Sequence, residues 1–104
     1  MGGNEGSFWA TRRGGGEVAV HGDLDLASAA QFEAALREGI DEGDGDITVD
    51  CSGVGFMDSS GMNVLVRVFK TLERHGRALR LVNLSPSVRR ALEVGGASQF
   101  VKMD

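Results

Sequence analysis

The sequence predicts an α/β fold: a mixed, mostly parallel sheet with helices mainly on one face. Three observations lead there. Segments whose apolar residues recur at spacings of three and four alternate with short β-prone runs. The first two β-prone runs are separated only by Gly14, Gly15 and Gly16, a connection that suits a hairpin. After the hairpin each helical segment lies between two strands, so the later strands need crossovers, which are right-handed in nearly all proteins.

Taken in order, "SFWATRR" (7–13) and "EVAVHG" (17–22) are the hairpin strands. The stretch "LDLASAAQFEAALREGIDEG" (24–43) carries Ala29, Phe32, Ala35, Leu36 and Ile40 on one helical face, with Ser28 or Asp25 able to cap it. Gly43, Asp44 and Gly45 end that helix. "DITVDCS" (46–52) reads as a strand, because Ile47 and Val49 alternate with Thr48 and Asp50, and "VGF" (54–56) prolongs it. From Ser60 to Arg74, the residues Val64, Leu65, Val68, Phe69 and Leu72 make a broad apolar helical face. "RALRLVN" (77–83) is the next strand. Ser85 then stands where a cap belongs and Pro86 at the first position of a helix, which Gly95 and Gly96 stop. "QFVKM" (99–103) is the expected last strand. The helices are too few to cover both faces of the sheet well.

Composition bounds the function. At 104 residues the chain fits one domain and can bury about two-thirds of its unfolded surface. It is 41% hydrophobic and 25% charged, which suits a globular domain. Eleven Lys and Arg against 15 Asp and Glu give a net charge of −4, the wrong sign for a nucleic-acid binder. The single cysteine, Cys51, allows neither an intrachain disulfide nor a thiolate metal cluster, so a reducing, cytoplasmic setting is expected. No apolar run approaches the roughly 20 residues that span a bilayer. The start, "MGGNEGSFWA", lacks the basic and apolar regions of a signal peptide, and Gly6 stands where myristoylation needs Ser or Thr. Residues 1–6 are expected to be a flexible polar tail, with the domain spanning 7–104.

Chemistry concentrates at "FMDSSG" (56–61), where an apolar strand runs into an acid and two hydroxyls at the mouth of a helix. Asp58 or Ser59 can cap that helix by accepting a backbone N–H. A cap accounts for one such residue but not for a serine pair followed by Gly61. A nucleophilic serine would need a base; His75 lies at the far end of the same helix, roughly 20 Å away, and His21 sits at a strand end. The surroundings also lack the G-x-S-x-G elbow. Six aspartates at loop ends (23, 25, 44, 46, 50 and 58) show no metal-ligand spacing, and the triple glycine lacks the Lys-Ser/Thr of a phosphate loop. No cofactor is therefore expected. A third reading is phosphorylation. Phosphate on Ser59 would add about two negative charges at a helix N-terminus, which tolerates an anion, while disturbing any partner docked over it.

The segments "GDLD" (22–25), "VDCSGVGFMDSSGMNVLV" (49–66) and "LVNLSPSVRRALEVGG" (81–96), in this order and spacing, resemble the STAS-domain anti-sigma factor antagonists of bacteria. The resemblance covers roughly residues 8 to 103, and its F-x-D-S-S-G core is the most specific part. It implies a STAS-like single domain and a partner-switching protein rather than an enzyme. In the unphosphorylated form such a protein binds an anti-sigma factor, itself a serine kinase, and releases a sigma factor. Phosphorylation of the serine matching Ser59 ends the binding, and a metal-dependent serine phosphatase resets it. Asp58 matches the acid beside the acceptor, Ser60 a structural neighbour, and Asp23 an acidic position at the partner surface. With Gly61, Met62 and Asn63 these residues form the expected partner-binding patch. The family usually reads S-S-G-L-G, so Met62 and above all Asn63 depart from it, as does Gly96-Ala97 after the last helix. A STAS module acting as a signalling scaffold or transport accessory subunit, without a phospho-switch, is the alternative. Arg67, Arg89 and Arg90 read as solvated helix charges.

Overall fold

The first edge of the sheet follows from the glycine hairpin. In the computed structural model, which describes residues 8–104, strand β1 (Trp9–Gly14) pairs antiparallel with β2 (Glu17–Leu24). Gly14, Gly15 and Gly16 take φ values of 87°, 63° and 82°, a run that side-chain-bearing residues rarely adopt. The expected tail at 1–6 lies outside the described residues, as does Ser7, the expected start of the first strand.

From β2 the chain passes through α1 (Ala29–Asp41) to β3 (Ile47–Met57), through α2 (Ser59–Glu73) to β4 (Leu79–Val82), and through α3 (Pro86–Val94) to β5 (Lys102–Met103). The strands lie in sequential order, and β2 to β5 are parallel. Each crossover therefore steps one strand in the same direction, and crossovers of one hand then place their helices on one face. Burial agrees. Val18, Val20, Ile47, Val49, Cys51, Leu79 and Leu81 of the sheet share one core with Phe32, Leu36, Val64, Val68, Leu72, Val88 and Leu92 of the helices. The intervening strand residues face the other way, where the sheet carries polar groups instead of helices.

That open face has its own cross-links. The Asp50 carboxylate accepts from Asn83 Nδ2 (3.1 Å), from the Ser52 N–H (3.0 Å) and from Arg13 (2.8 Å). Asn83 and Ser52, and then Arg13, hold the Asp50 carboxyl well below its ordinary range, outweighing the cost of its burial. Asn83 sits at φ 60°, a left-handed conformation that asparagine tolerates better than most residues. Beside this cluster the Trp9 and His21 rings stack at 4.7 Å.

Several element ends differ from expectation, each for a local reason. Strand β2 continues to Leu24 and α1 starts only at Ala29, because residues 23–28 close on themselves. Ser28 Oγ donates to the Asp23 carbonyl (2.7 Å) and accepts the Asp25 N–H (3.1 Å). That hydroxyl is thus occupied in the loop, and Ser28, although at the cap position, makes no side-chain cap bond. Strand β3 absorbs both of its expected pieces and shifts register twice against β2. The last strand shrinks to two residues, because Ala97–Gln99 form a 3-10 turn after Gly96 at φ 82°.

The helix arginines are less independent than their spacing suggested. Arg67 and Arg37 both grip Glu33, at 2.8 and 3.0 Å, and Arg37 also donates to Thr71 Oγ1 (2.9 Å), which stitches α1 to α2. Arg89 donates to the Asp104 carbonyl at 2.9 Å.

Candidate functional site

The parallel strands deliver β2 and β3 to the same edge of the sheet, where Asp23 pairs with Phe56 and Leu24 with Met57. At the end of β3, Asp58 remains extended (φ −111°, ψ −168°) and its N–H donates to the Leu24 carbonyl at 3.1 Å. Its side chain then turns inward as the cap of α2, with Oδ1 accepting the Ser60 N–H at 2.8 Å. Asp58, rather than Ser59, is the cap.

Gly61 explains why the helix can start so close to the sheet. It is buried, and a Cβ there would lie 2.9 Å from both the Leu24 side chain and the Leu24 carbonyl oxygen, and 3.0 Å from Met57. Among the expected patch residues it therefore acts from beneath, by letting α2 close onto β2. Met62, half-buried, rests its thioether on Gly95 at the end of α3. Asp23, Ser59 and Asn63 are exposed, while Asp58 and Ser60 are half-buried. The structure thus gathers Asp23, Asp58, Ser59, Ser60, Met62 and Asn63 around one strand-to-helix junction.

Exposed apolar side chains flank this junction, and of these the sequence had marked only Phe56, the first residue of the F-x-D-S-S-G segment. Leu26 in the loop after β2 is 80% exposed, Phe56 50%, and Val94, next to Gly95, 79%. Their signal in the sequence is weak, because an isolated apolar residue beside a turn reads as core until the fold shows it facing water.

His21 and Cys51 are engaged elsewhere. His21 pairs with Gly53, well short of the end of β3, and its ring is stacked on Trp9. Cys51 is buried in the core, and burial pushes its thiol up to about 12, which leaves it without reactive thiolate. Among the described residues no group of three or more His, Cys, Asp or Glu is placed to hold a metal ion. A groove of about 400 Å³ does exist, between the glycine hairpin and residues 42–47, at the opposite end of β3. Several of its charged groups are engaged internally. Arg77 donates to the Gly45 and Ile40 carbonyls, Asp46 accepts the Ala78 N–H, and Arg12 pairs with Glu42.

The fold is thus a sheet with helices on one face that presents an acid-capped serine pair at an exposed strand-to-helix junction, with exposed apolar side chains nearby. A family model described as STAS domain matches residues 10–104, and the chain belongs to that family. The anti-sigma-B factor antagonist of Staphylococcus aureus is 28% identical over 88 residues, which are 85% of this chain and 82% of that protein. An anti-sigma factor antagonist from Mycobacterium paratuberculosis superposes with a TM-score of 0.75 at 22% identity, covering 92% of this chain and 82% of that one. The anti-sigma factor antagonist SpoIIAA in its unphosphorylated form gives 0.66 at 25% identity, over 93% and 86% of the two chains. SpoIIAA of Bacillus in the phosphorylated form gives 0.63 at 24%, over 93% and 90%. Among the described residues no helix is long and apolar enough to cross a membrane.

Proposed function

We propose that this chain is an anti-sigma factor antagonist whose unphosphorylated form binds an anti-sigma factor with serine-kinase activity and so frees a sigma factor. The observation that carries the proposal is the division of labour at the junction. Asp58 caps α2 through the Ser60 N–H, so the exposed Ser59 hydroxyl has no structural task among the described residues. The similarity to named antagonists supports the same reading.

In the proposed step Ser59 Oγ attacks the γ-phosphorus of ATP held by the kinase. An Oγ–P bond forms, the bond from that phosphorus to the ADP oxygen breaks, ADP leaves, and the hydroxyl proton passes to a kinase base. The product sits at the start of α2, where free N–H groups and the helix dipole favour an anion. Inside the domain the charge is tolerated. Across a docked surface containing Leu26, Phe56 and Val94 it is not, because an unpaired charge in an interface costs about 2–5 kcal/mol. A metal-dependent serine phosphatase would restore the binding form, in a cytoplasmic setting. The domain itself supplies recognition and the acceptor hydroxyl, and the catalysis belongs to its partners.

Intact-mass measurement after incubation with the candidate anti-sigma kinases and ATP tests this. One added phosphate that maps to Ser59 and disappears in Ser59→Ala is the expected result. A folded protein that no candidate kinase modifies would overturn the switch and leave a STAS scaffold.

A further inference from the structure

Asn63 lies one helical turn after Ser59, and residues four apart share a helix face with Cβ atoms about 5–6 Å apart. Helical side chains lean towards the N-terminus, so the Asn63 carboxamide covers the turn that Ser59 begins. Both residues are exposed, and neither side chain is hydrogen-bonded among the described residues.

The charged groups nearby are committed or carry the wrong sign for a phosphate. Asp58 is an anion holding the Ser60 N–H, and Asp23 is another anion. Arg67, one turn beyond Asn63, is drawn to Glu33 of α1 through both Nε (3.2 Å) and Nη2 (2.8 Å). Asn63 brings two N–H donors on a neutral side chain, on the same face as Ser59. A phosphoryl group on Ser59 Oγ and the carboxamide of Asn63 together span the distance between their Cβ atoms.

We propose that the Asn63 side-chain amide donates a hydrogen bond to a phosphoryl oxygen of phosphorylated Ser59. Asn63 is then a positioning residue for the modified state. It holds the phosphate against α2 in one orientation, which a glycine at this place could not do, and stabilises the phosphorylated form. The inference rests on the proposed function only in taking Ser59 as the modified residue.

The experiment uses the full chain with phosphoserine incorporated at position 59 during translation, so no kinase is required. In NMR spectra of the otherwise unaltered sequence, the Asn63 side-chain amide protons should move downfield relative to the unphosphorylated chain. In a thermal cycle, the change in melting temperature caused by the phosphate should be more favourable with Asn63 than with Asn63→Ala by about 4 °C. Asn63→Asp should make the same change unfavourable, since it sets a carboxylate beside the phosphate. Unmoved amide resonances, together with equal phosphate effects in the native and Asn63→Ala chains, would overturn the contact. Failure of every candidate kinase to modify Ser59 would instead count against the switch, and the contact would still be measured.

Discussion

Asp58 and Ser59 are neighbours with separate tasks, and single substitutions should tell them apart. Asp58→Ala removes the oxygen that accepts the Ser60 N–H and should cost about 1 kcal/mol in urea unfolding. Ser59→Ala removes an exposed hydroxyl and should change stability by less than about 0.5 kcal/mol, while binding the anti-sigma partner constitutively. Ser59→Asp should fold equally well and bind weakly, which a pull-down with the partner would read. If Ser59→Ala unfolds the domain, Ser59 has a structural role and the switch loses its main support. Gly61 is the opposite kind of residue. A methyl group there meets the backbone oxygen of Leu24, which cannot yield as a flexible side chain would, so Gly61→Ala should cost about 1–3 kcal/mol. Because the same contact seats the start of α2, that variant should also weaken partner binding.

At the scale of elements, β3 is the organising strand. It pairs with β2 and β4, carries core residues on one side, delivers Asp58 at its end, and buries Asp50 on the open face. Asp50→Ala leaves the Asn83 amide and the Ser52 N–H without their acceptor and should destabilise the domain by about 2–3 kcal/mol. Acid should act through the same carboxylate. Its folded pKa is depressed from an ordinary 3.8, so its stabilisation is complete above that value and is lost as pH falls below it. Unfolding free energies measured from pH 7 down to pH 3 should therefore fall more steeply below about pH 4 in the native protein than in Asp50→Asn. Parallel slopes would show that Asp50 does not govern the acid limb. The seam between α1 and α2 is a weaker device. Glu33 is pulled below its ordinary range, first by Arg67 and also by Arg37, but both arginines are partly exposed to solvent, and such pairs contribute little.

The whole molecule is a one-layer sheet under one layer of helices, with a single core between them. Cys51 lies in that core on the central strand, so it reports on the integrity of the whole rather than of one loop. A thiol reagent should leave the native protein unlabelled, and labelling should follow global unfolding as urea is raised. Rapid labelling in the absence of denaturant would mean that β3 opens locally, which the buried contacts on both sides of it argue against. The same layering separates two ends of the molecule. The acceptor serine stands after the last residue of β3, while the glycine-lined groove borders its first, roughly 30 Å away along an eleven-residue strand.

Much of this was legible in the sequence. Alternation at period two and recurrence at three and four revealed the strands and helices, the glycine hairpin with the succession of crossovers pointed to a mixed, mostly parallel sheet, and the small number of helices to their lying mainly on one face. Those features are local, and backbone sterics with burial decide them residue by residue. The F-x-D-S-S-G segment also marked the junction. What stayed hidden is of two kinds. That Asp58 rather than Ser59 caps α2, and that Ser28 closes a loop instead of capping α1, are choices among competing partners close in sequence, whereas Gly61 is needed because Leu24, distant in the chain, lies against it. The burial of Asp50, with exposed Asn83 donating to it, and the exposure of Leu26, Phe56 and Val94 likewise depend on the folded chain. The sequence by itself determined the elements, their order and the place of the hydroxyls. Only the tertiary structure decided which polar atoms found partners and which remained free at the surface, because hydrogen-bond satisfaction and exposure belong to the packed whole.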